Sequence, residues 1–418
     1  MDLEVVTVGS ELLLGFTIDR NTADIGRLLA PAGCNVVRST SVPDEEEAIR
    51  NAVLDGLHRT GMVVITGGLG PTADDITKKV VAGIFDAPLE LDSDYLEKLE
   101  RRFAKLGRGP MPSVNRCQAE VPSGATTLRN PRGTAPGLWL EGEIGTAIML
   151  PGVPVEMRGL MEGEVLPRLR EMMFTGNSPD RVTKSCTLRT TGISESQLAE
   201  NLSAVEPLPR SVTLSYLPGV DGVDLRLTIK SAAGDEAVEA LDRAKAILLP
   251  TLCDRFYGIA PIALSEVLID KLRDARMRMA VAESCTGGMI GARLTEIPGA
   301  SDVFAGGVIC YENTSKVRDL GVPSSVLDEY GAVSEAVVLA MAKGVCRRFG
   351  VDAGVAVTGI AGPEGGTSEK PVGTVWLAAR LGSETRVARR WFPGKRSEVR
   401  KRSAQGALDL IRTMLAGD

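Results

Sequence analysis

Histidine is almost missing from this chain: His58 is the only one among 418 residues. A hydrolase that activates its nucleophile with imidazole needs a histidine beside it, so serine chemistry far from His58 must pass its proton to a lysine or a tyrosine. Zinc is not expected either, because one histidine and seven cysteines without a C-x-x-C pair make a poor ligand set. Those cysteines, odd in number and scattered, fit a reducing cytoplasm with buried thiols. Aromatic residues are only 4% of the chain, so its cores must rest on Val, Leu, Ile, Ala and Met. No apolar run reaches membrane-spanning length, and the acidic start Met1-Asp2-Leu3-Glu4 is not a signal peptide. Basic runs are lacking too. A net charge of −6 and a pI near 5.3 argue against a broad nucleic-acid surface, leaving room for a small basic patch.

What is present is an ordinary globular composition, 44% apolar and 24% charged, at a length that predicts two or three domains. The first 170 or so residues alternate strand and helix. Strands are predicted at Leu3–Val8, Asn35–Val42 and Met62–Thr66, the last apolar almost throughout, as a central parallel strand should be. Helices are predicted at Thr17–Ala32, after Asp44 with Glu47 as its capping-box partner, and over Ile76, Val80 and Ile84. Such alternation predicts a doubly wound α/β sheet with a ligand at the carboxyl ends of its strands. From about Phe174 to Thr251 the order changes. A strand (Thr183–Arg189), a helix (Glu195–Leu202), a hairpin turning at Pro218-Gly219 and a helix from Asp235 to Leu249 predict a small α+β module. It has no cluster of catalytic residue types and reads as a spacer or dimerisation element. Arg255–Ile262 reads as a linker. From Leu264 the alternation resumes, with strands at Met277–Ala282, Val303–Tyr311, Ala353–Val357, Gly373–Ala379 and Arg386–Phe392. The fold class is therefore α/β: two doubly wound domains joined by a small α+β module.

The richest motif is Ala282-Glu283-Ser284-Cys285-Thr286-Gly287-Gly288, between an apolar strand and a helix. Strand, tight turn and helix expose a nucleophile and aim N–H groups at a developing anion. On this reading the N–H groups of Thr286, Gly287 and Gly288 form an oxyanion or phosphate cradle. Ordinary helix capping explains the same residues equally well. Lys316 follows Tyr311 by five residues; alone, it reads as a solvated surface lysine. Thr358-Gly359-Ile360-Ala361-Gly362-Pro363-Glu364-Gly365-Gly366 follows another strand and favours a ligand loop. Lys395 and Arg396 close a further strand.

The N-terminal counterpart is Thr66-Gly67-Gly68-Leu69-Gly70-Pro71-Thr72-Ala73-Asp74-Asp75, after the third strand. It matches neither a P-loop nor G-x-G-x-x-G. Its glycines expose backbone N–H groups, Thr72 adds a hydroxyl, and Asp74 and Asp75 are hard oxygen ligands suited to Mg²⁺. A Gly-rich turn before an Asp-capped helix is the alternative, but three glycines and two carboxylates exceed what capping needs.

Ala282–Gly288, Tyr311 with Lys316, Gly331-Ala332-Val333-Ser334, Thr358–Gly366 and Lys370–Gly373 resemble the CinA C-terminal family, similar to nicotinamide-nucleotide amidohydrolases. The resemblance implies hydrolysis of nicotinamide mononucleotide to nicotinate mononucleotide and ammonia, without a cofactor. It implies Ser284 as nucleophile, Tyr311 and Lys316 in proton transfer, and Thr358 and Arg396 against substrate, with Lys395 and Arg400 near enough to compete. Glu283, Thr286, Gly287, Gly288, Gly359, Ala361 and Gly362 would complete the substrate site. Gly9-Ser10-Glu11, Asn21, the Gly67–Asp75 loop, Asn130–Gly137 and Leu150–Pro154 with Glu156 resemble the MoaB/MogA-like molybdopterin-binding fold. That resemblance implies an ADP-ribose pyrophosphatase using a divalent metal (Mg²⁺ or Co²⁺), and sometimes K⁺. Its ligand site would draw on Glu11, Asn21, Asp44, Gly67, Gly68, Gly70, Thr72, Thr134, Pro136 and Glu156, with Asp74 and Asp75 holding the metal. The family often has Val-Gly-Asp where this chain has Val42-Pro43-Asp44, and Pro43 removes a donor there. The implied domains are 1–172, 173–254 (KH-like) and 262–418, in a cytoplasmic homodimer with no membrane or nucleic-acid partner. Two other readings stand beside this one: a pterin- or nucleotide-binding N-terminal module without activity, and a competence or DNA-damage adaptor.

Overall fold

The structure, a computed structural model, describes residues 1–105, 109–174, 181–205 and 207–417. The chain divides into two compact units, residues 1–184 with 229–239, and residues 185–228 with 240–418.

In the first unit β1 (Asp2–Val8), α1 (Ser10–Leu13), α2 (Asn21–Leu29), β2 (Asn35–Val42), α3 (Glu46–Thr60) and β3 (Met62–Thr66) come in turn. Then follow α4 (Thr77–Ile84), β4 (Leu89–Leu91), α5 (Ser93–Lys105), β5 (Glu120–Pro122) and β6 (Thr126–Leu128). β7 (Gly137–Gly142), β8 (Gly145–Leu150), α6 (Pro154–Leu160) and α7 (Leu166–Phe174) close the series. One six-stranded sheet runs β2-β1-β3-β8-β7-β6. Its first four strands are parallel and its last two antiparallel. The period-2 alternation of β1 sends Leu3 and Val5 into a core with Ile25, Leu29 and Met157, and Val6 and Val8 into another with Ile49 and Val53. Both faces are thus covered by helices, the doubly wound arrangement expected from the sequence. The parallel strands bring their carboxyl ends to one edge, where the loops after β1, β2, β3 and β8 meet.

Two local expectations fail. The helix expected over Thr17–Ala32 begins only at Asn21, and Ile18 is exposed, so the apolar stripe was overextended at its start. Asp44 does not cap α3; its carboxylate accepts from the N–H and hydroxyl of Ser10, at the start of α1, while Glu45 occupies the N-cap without a side-chain bond.

Along the middle of the chain lie β9 (Arg181–Thr190), α8 (Glu195–Ser203), β10 (Val212–Pro218), β11 (Val223–Ala233) and α9 (Gly234–Leu252). A fourth strand, β12 (Phe256–Ile259), completes a sheet in the order β10-β11-β9-β12. The segment read as a linker is therefore partly sheet: β12 pairs antiparallel with β9 and buries Tyr257. Four residues were too few to show periodicity. Residues 175–180, next to the expected boundary at 172/173, lie outside the described residues.

The rest of the second unit holds α10 (Leu264–Asp274), β13 (Met279–Glu283), α11 (Met289–Thr295), β14 (Phe304–Ile309) and α12 (Asn313–Leu320). α13 (Ser324–Tyr330), α14 (Glu335–Phe349), β15 (Ala353–Gly359), β16 (Thr374–Leu381), β17 (Glu384–Trp391) and α15 (Arg396–Leu415) complete it. The sheet order is β14-β13-β15-β16-β17, with the first three strands parallel and the last two antiparallel. Met279 and Val281 pack under α10 and α15, whereas Ala280 and Ala282 pack with α14 on the other face. β13 is the central strand of the parallel trio, and its carboxyl end carries Ser284.

Candidate active site

Ser284 sits one residue beyond β13, where its N–H still bonds the Val357 carbonyl of β15 at 3.0 Å. The turn that follows is held from three sides. Glu283 is buried, and its carboxylate accepts from the N–H groups of Gly288 (2.9 Å), Ile290 (3.1 Å) and Gly291 (2.9 Å). A buried carboxylate on the free donors of α11 satisfies the helix start and balances its dipole. The Gly287 N–H closes back on the Ser284 carbonyl at 3.1 Å. Arg400 on α15 donates to the carbonyls of Cys285 (3.1 Å) and Thr286 (2.7 Å). These bonds correct the expected cradle. Glu283 is spent on α11, and the Gly287 and Gly288 N–H groups are spent on the turn, so these three residues do not present free groups to a substrate. The Thr286 N–H has no acceptor among the described residues. It belongs to the peptide whose carbonyl Arg400 holds, so Arg400 fixes the plane of that free donor.

A small open cavity of about 190 Å³ gathers the other expected residues: Ser284, Tyr311, Lys316, Thr358, Gly359, Ala361 and Arg396. Its floor is buried and its rim exposed. Lys316, on the first turn of α12, is 1% exposed. Its ammonium nitrogen donates to the carbonyls of Cys310 (3.0 Å) and Tyr311 (3.4 Å). A neutral amine has two N–H groups and one lone pair; an ammonium has three N–H groups. Two carbonyls satisfy the neutral form and leave its third position for the cavity that it shares with Ser284. Burial accordingly pushes the Lys316 pKa down from its ordinary 10.5. This shielding is what a proton-transfer role for Lys316 requires, and it excludes the alternative of a solvated surface lysine.

Thr358 forms another part of the floor, its hydroxyl donating to the Ala332 carbonyl at 2.7 Å. Tyr311 lies two residues past β14 and not within it, and it is 58% exposed on the rim. Its phenol accepts from Arg396 at 2.6 Å, and Arg396 also donates to the Gly362 carbonyl at 2.7 Å. Of the three competing cations, Arg396 is the one placed on the cavity wall, and Arg400 serves the turn. Cys285 shares the wall with Ser284, but burial pushes its thiol up to about 12, so it holds almost no thiolate near neutral pH. Asn313, Ala332 and Val333 also line the cavity. Asn313 was missed. The available signal was its place three residues before Lys316, which puts the two on one helix face.

At the N-terminal sheet edge, Asn21 at the start of α2 donates to the Thr66 hydroxyl (2.9 Å) and to the Gly152 carbonyl (2.8 Å), and Thr66 donates to the Pro151 carbonyl. Three of the expected motifs therefore meet at the ends of β3 and β8. Gly67 is required there: its φ is +107°, and a Cβ would lie 2.1 Å from the Val8 carbonyl oxygen. Gly68 stands beside the Thr77 hydroxyl and Gly70 beside the Asp75 carboxylate. Asp75 accepts from both the N–H and the hydroxyl of Thr72, closing the turn. One Asp75 oxygen is left as a cation ligand, and the exposed Asp74 carboxylate, held below its ordinary range by the Thr72 hydroxyl, is a second. Among the described residues no group of three or more His, Cys, Asp or Glu side chains is placed to hold a metal. This set does not make a protein cage, but it fits a Mg²⁺-like ion held mainly by phosphate and water. Glu11 folds over Gly9. Glu156 accepts from Asn130 at 2.7 Å, and the Thr134 carbonyl accepts from Tyr95 at 3.0 Å. Pro136 is buried, so these last three residues frame the 130–137 loop.

Comparison with known proteins finds three family models along the chain. Residues 4–171 match the probable molybdopterin binding domain model, residues 185–258 the damage-inducible protein CinA KH domain, and residues 262–415 the CinA C-terminal domain. A CinA-like protein of Gemmatimonas aurantiaca is 48% identical over 417 residues, covering 100% of this chain and 97% of the relative. Another CinA-like protein, from Salinibacter ruber, is 40% identical over 418 residues and covers 100% of both chains. The crystal structure of the competence/damage inducible protein CihA from Agrobacterium tumefaciens is 39% identical, with 37% of this chain and 93% of that chain covered and a TM-score of 0.36. The chain belongs to the CinA family. Among the described residues no helix is long and apolar enough to cross a membrane.

Proposed function

We propose that the C-terminal domain hydrolyses the carboxamide of nicotinamide mononucleotide, giving nicotinate mononucleotide and ammonia. The observation that carries this reading is a buried lysine, free of any carboxylate partner among the described residues, sharing one cavity with Ser284 in a chain whose single histidine is His58. Ser284 Oγ attacks the amide carbon while its proton passes to the neutral Lys316 amine. The N–H groups of Cys285 and Thr286, neither bonded to a backbone acceptor among the described residues, are the donors left for the tetrahedral oxyanion, and Cys285 is the one on the cavity wall. Lys316 then returns the proton to the departing nitrogen, ammonia leaves, and water repeats the sequence on the ester to free the acid and the serine. At about 190 Å³ the cavity is smaller than pockets that bury whole ligands, roughly 300–1,000 Å³. The reacting ring end fits inside, and the ribose phosphate projects past the rim toward Arg396. Ammonia release from nicotinamide mononucleotide by the purified protein tests this; Ser284→Ala must abolish it, and turnover at the wild-type rate in that variant would overturn the assignment.

For the N-terminal domain we propose metal-dependent hydrolysis of ADP-ribose at the diphosphate. A bound divalent cation would polarise the phosphoryl oxygens there. Asp74 would hold that ion against the diphosphate, and the Gly68–Gly70 backbone would receive phosphate oxygens, the Gly67 N–H being bonded to the Leu150 carbonyl. Release of AMP from ADP-ribose with Mg²⁺ or Co²⁺ separates this from a binding module, which would form none.

A further inference from the structure

One face of α5 stands apart from the acidic character of the whole chain. Lys98, Arg102 and Lys105 recur at helical spacing, Arg101 flanks them, and Arg129 faces them from just past β6. Together with Tyr95 they line a groove of about 560 Å³ whose wall contains no carboxylate. Cations three and four residues apart weaken a helix by mutual repulsion. Here Lys98 faces Arg101 and Arg102, and Arg101 and Arg102 face Lys105. Arg101 alone is offset by a pair on its own helix, with Glu97. Arg102 donates to the carbonyls of Asn130 and Pro131, which hold the groove wall but supply no neutralising charge. The side chains of Lys98, Lys105 and Arg129 make no hydrogen bond or ion pair within the described residues. Tyr95 underlies the groove and is pinned to the Thr134 carbonyl, so the floor is rigid.

We infer that this groove is a binding site for a small oligophosphate, either free or as the phosphate chain of a nucleotide. Its volume lies in the range of small-ligand pockets. A concave wall of one charge sign focuses the field on an anion. Five cations exceed what one phosphate needs and suit a chain of two or three. A nucleic acid fits less well: the chain is net negative, and the basic residues form one short stripe. None of the groove's lining residues comes from the Gly67–Asp75 loop of the proposed diphosphate site, and it borders that site only through Asn130, Pro131 and Gly133 of the 130–137 loop. It stands whether or not the domain hydrolyses ADP-ribose.

The test is calorimetric titration of the full chain, without metal, using inorganic tripolyphosphate in one arm and ADP in the other. Wild-type protein should show saturable binding of at least one probe, weakening as salt is raised from about 50 to about 200 mM. Lys98→Glu with Lys105→Glu removes two cations that hold nothing else in place, and it should lower the affinity at least tenfold while the melting temperature stays put. Tripolyphosphate binding assigns the free phosphate chain, and binding of ADP alone assigns a nucleotide. The inference fails if neither probe binds, if the double variant binds as well as wild type, or if a short single-stranded oligonucleotide outcompetes both probes. Arg129→Glu gives a second reading from outside the helix if the double variant does not fold.

Discussion

Replacing Lys316 with methionine puts the central claim at risk, because activity and stability should move separately. The substitution keeps the length and apolar stem of the side chain and removes the nitrogen. Loss of a positioned general base costs about 10²–10⁴ in rate, or about 3–5 kcal/mol of barrier. Stability should hardly follow. The variant leaves the Cys310 and Tyr311 carbonyls without the amine, at about 1 kcal/mol each. It also removes a group whose charged form is penalised by burial. The two effects oppose, so a net change within about 2 kcal/mol is expected. The pH dependence has a definite sign. Because the folded pKa of Lys316 lies below 10.5, the unfolded chain retains a proton that the folded chain has shed between those two values, so stability rises with pH across that window. The same titration should give kcat/KM a rising limb below the ordinary lysine range. Ammonia release measured across pH, with thermal melts on the same samples, reads both. Wild-type turnover in Lys316→Met, or an unchanged rising limb, would refute the lysine as base.

Three further outcomes are expected. Arg400→Ala frees the Cys285 and Thr286 carbonyls; kcat should fall by about 10² with little change in KM, because a misplaced donor affects the transition state more than ground-state binding. Glu283→Gln turns an amide toward three helix N–H groups and should cost about 1–3 kcal/mol in urea melts, with the loss visible in the isolated stability measurement before any assay. Asp74→Ala should reduce AMP release from ADP-ribose by at least roughly tenfold, one charge-assisted contact being worth about 1.5–3 kcal/mol, and leave ammonia release unchanged.

The parts of this fold that could be read from residues were those where one strong signal decides. β3, Met62 to Thr66, is buried along its length, and nothing but a central strand suits that run. β1 and β13 alternate between two cores, which is why the doubly wound architecture was legible. β12 was not, because four residues packed on a neighbouring strand owe their conformation to that neighbour. Asp44 shows the same limit. Its position before an apolar helical stripe has the form of a cap, yet Ser10, thirty-four residues earlier, offers two donors and takes the carboxylate.

The active-site motif divides along that line. The residue types proposed to carry the chemistry follow from the lack of histidine and from the family resemblance at Ser284, Tyr311 and Lys316. What each backbone donor does follows from bonds made across the fold, and these invert part of the expectation. Glycines at a helix start look available for an anion, but Glu283, the residue before the nucleophile, already supplies that anion from within the chain. An internal carboxylate there keeps α11 fixed when the cavity is empty. One of the two unpaired donors beside the proposed nucleophile, the Thr286 N–H, then sits in a peptide held by Arg400 from α15, and the same helix begins with Arg396 on the rim. One helix thus sets both the donor plane and the outer cation. A substitution that shifts α15 along its axis should therefore impair substrate capture and turnover together, whereas Arg400→Ala and Arg396→Ala, changed singly, should separate them, the first acting on kcat and the second on KM.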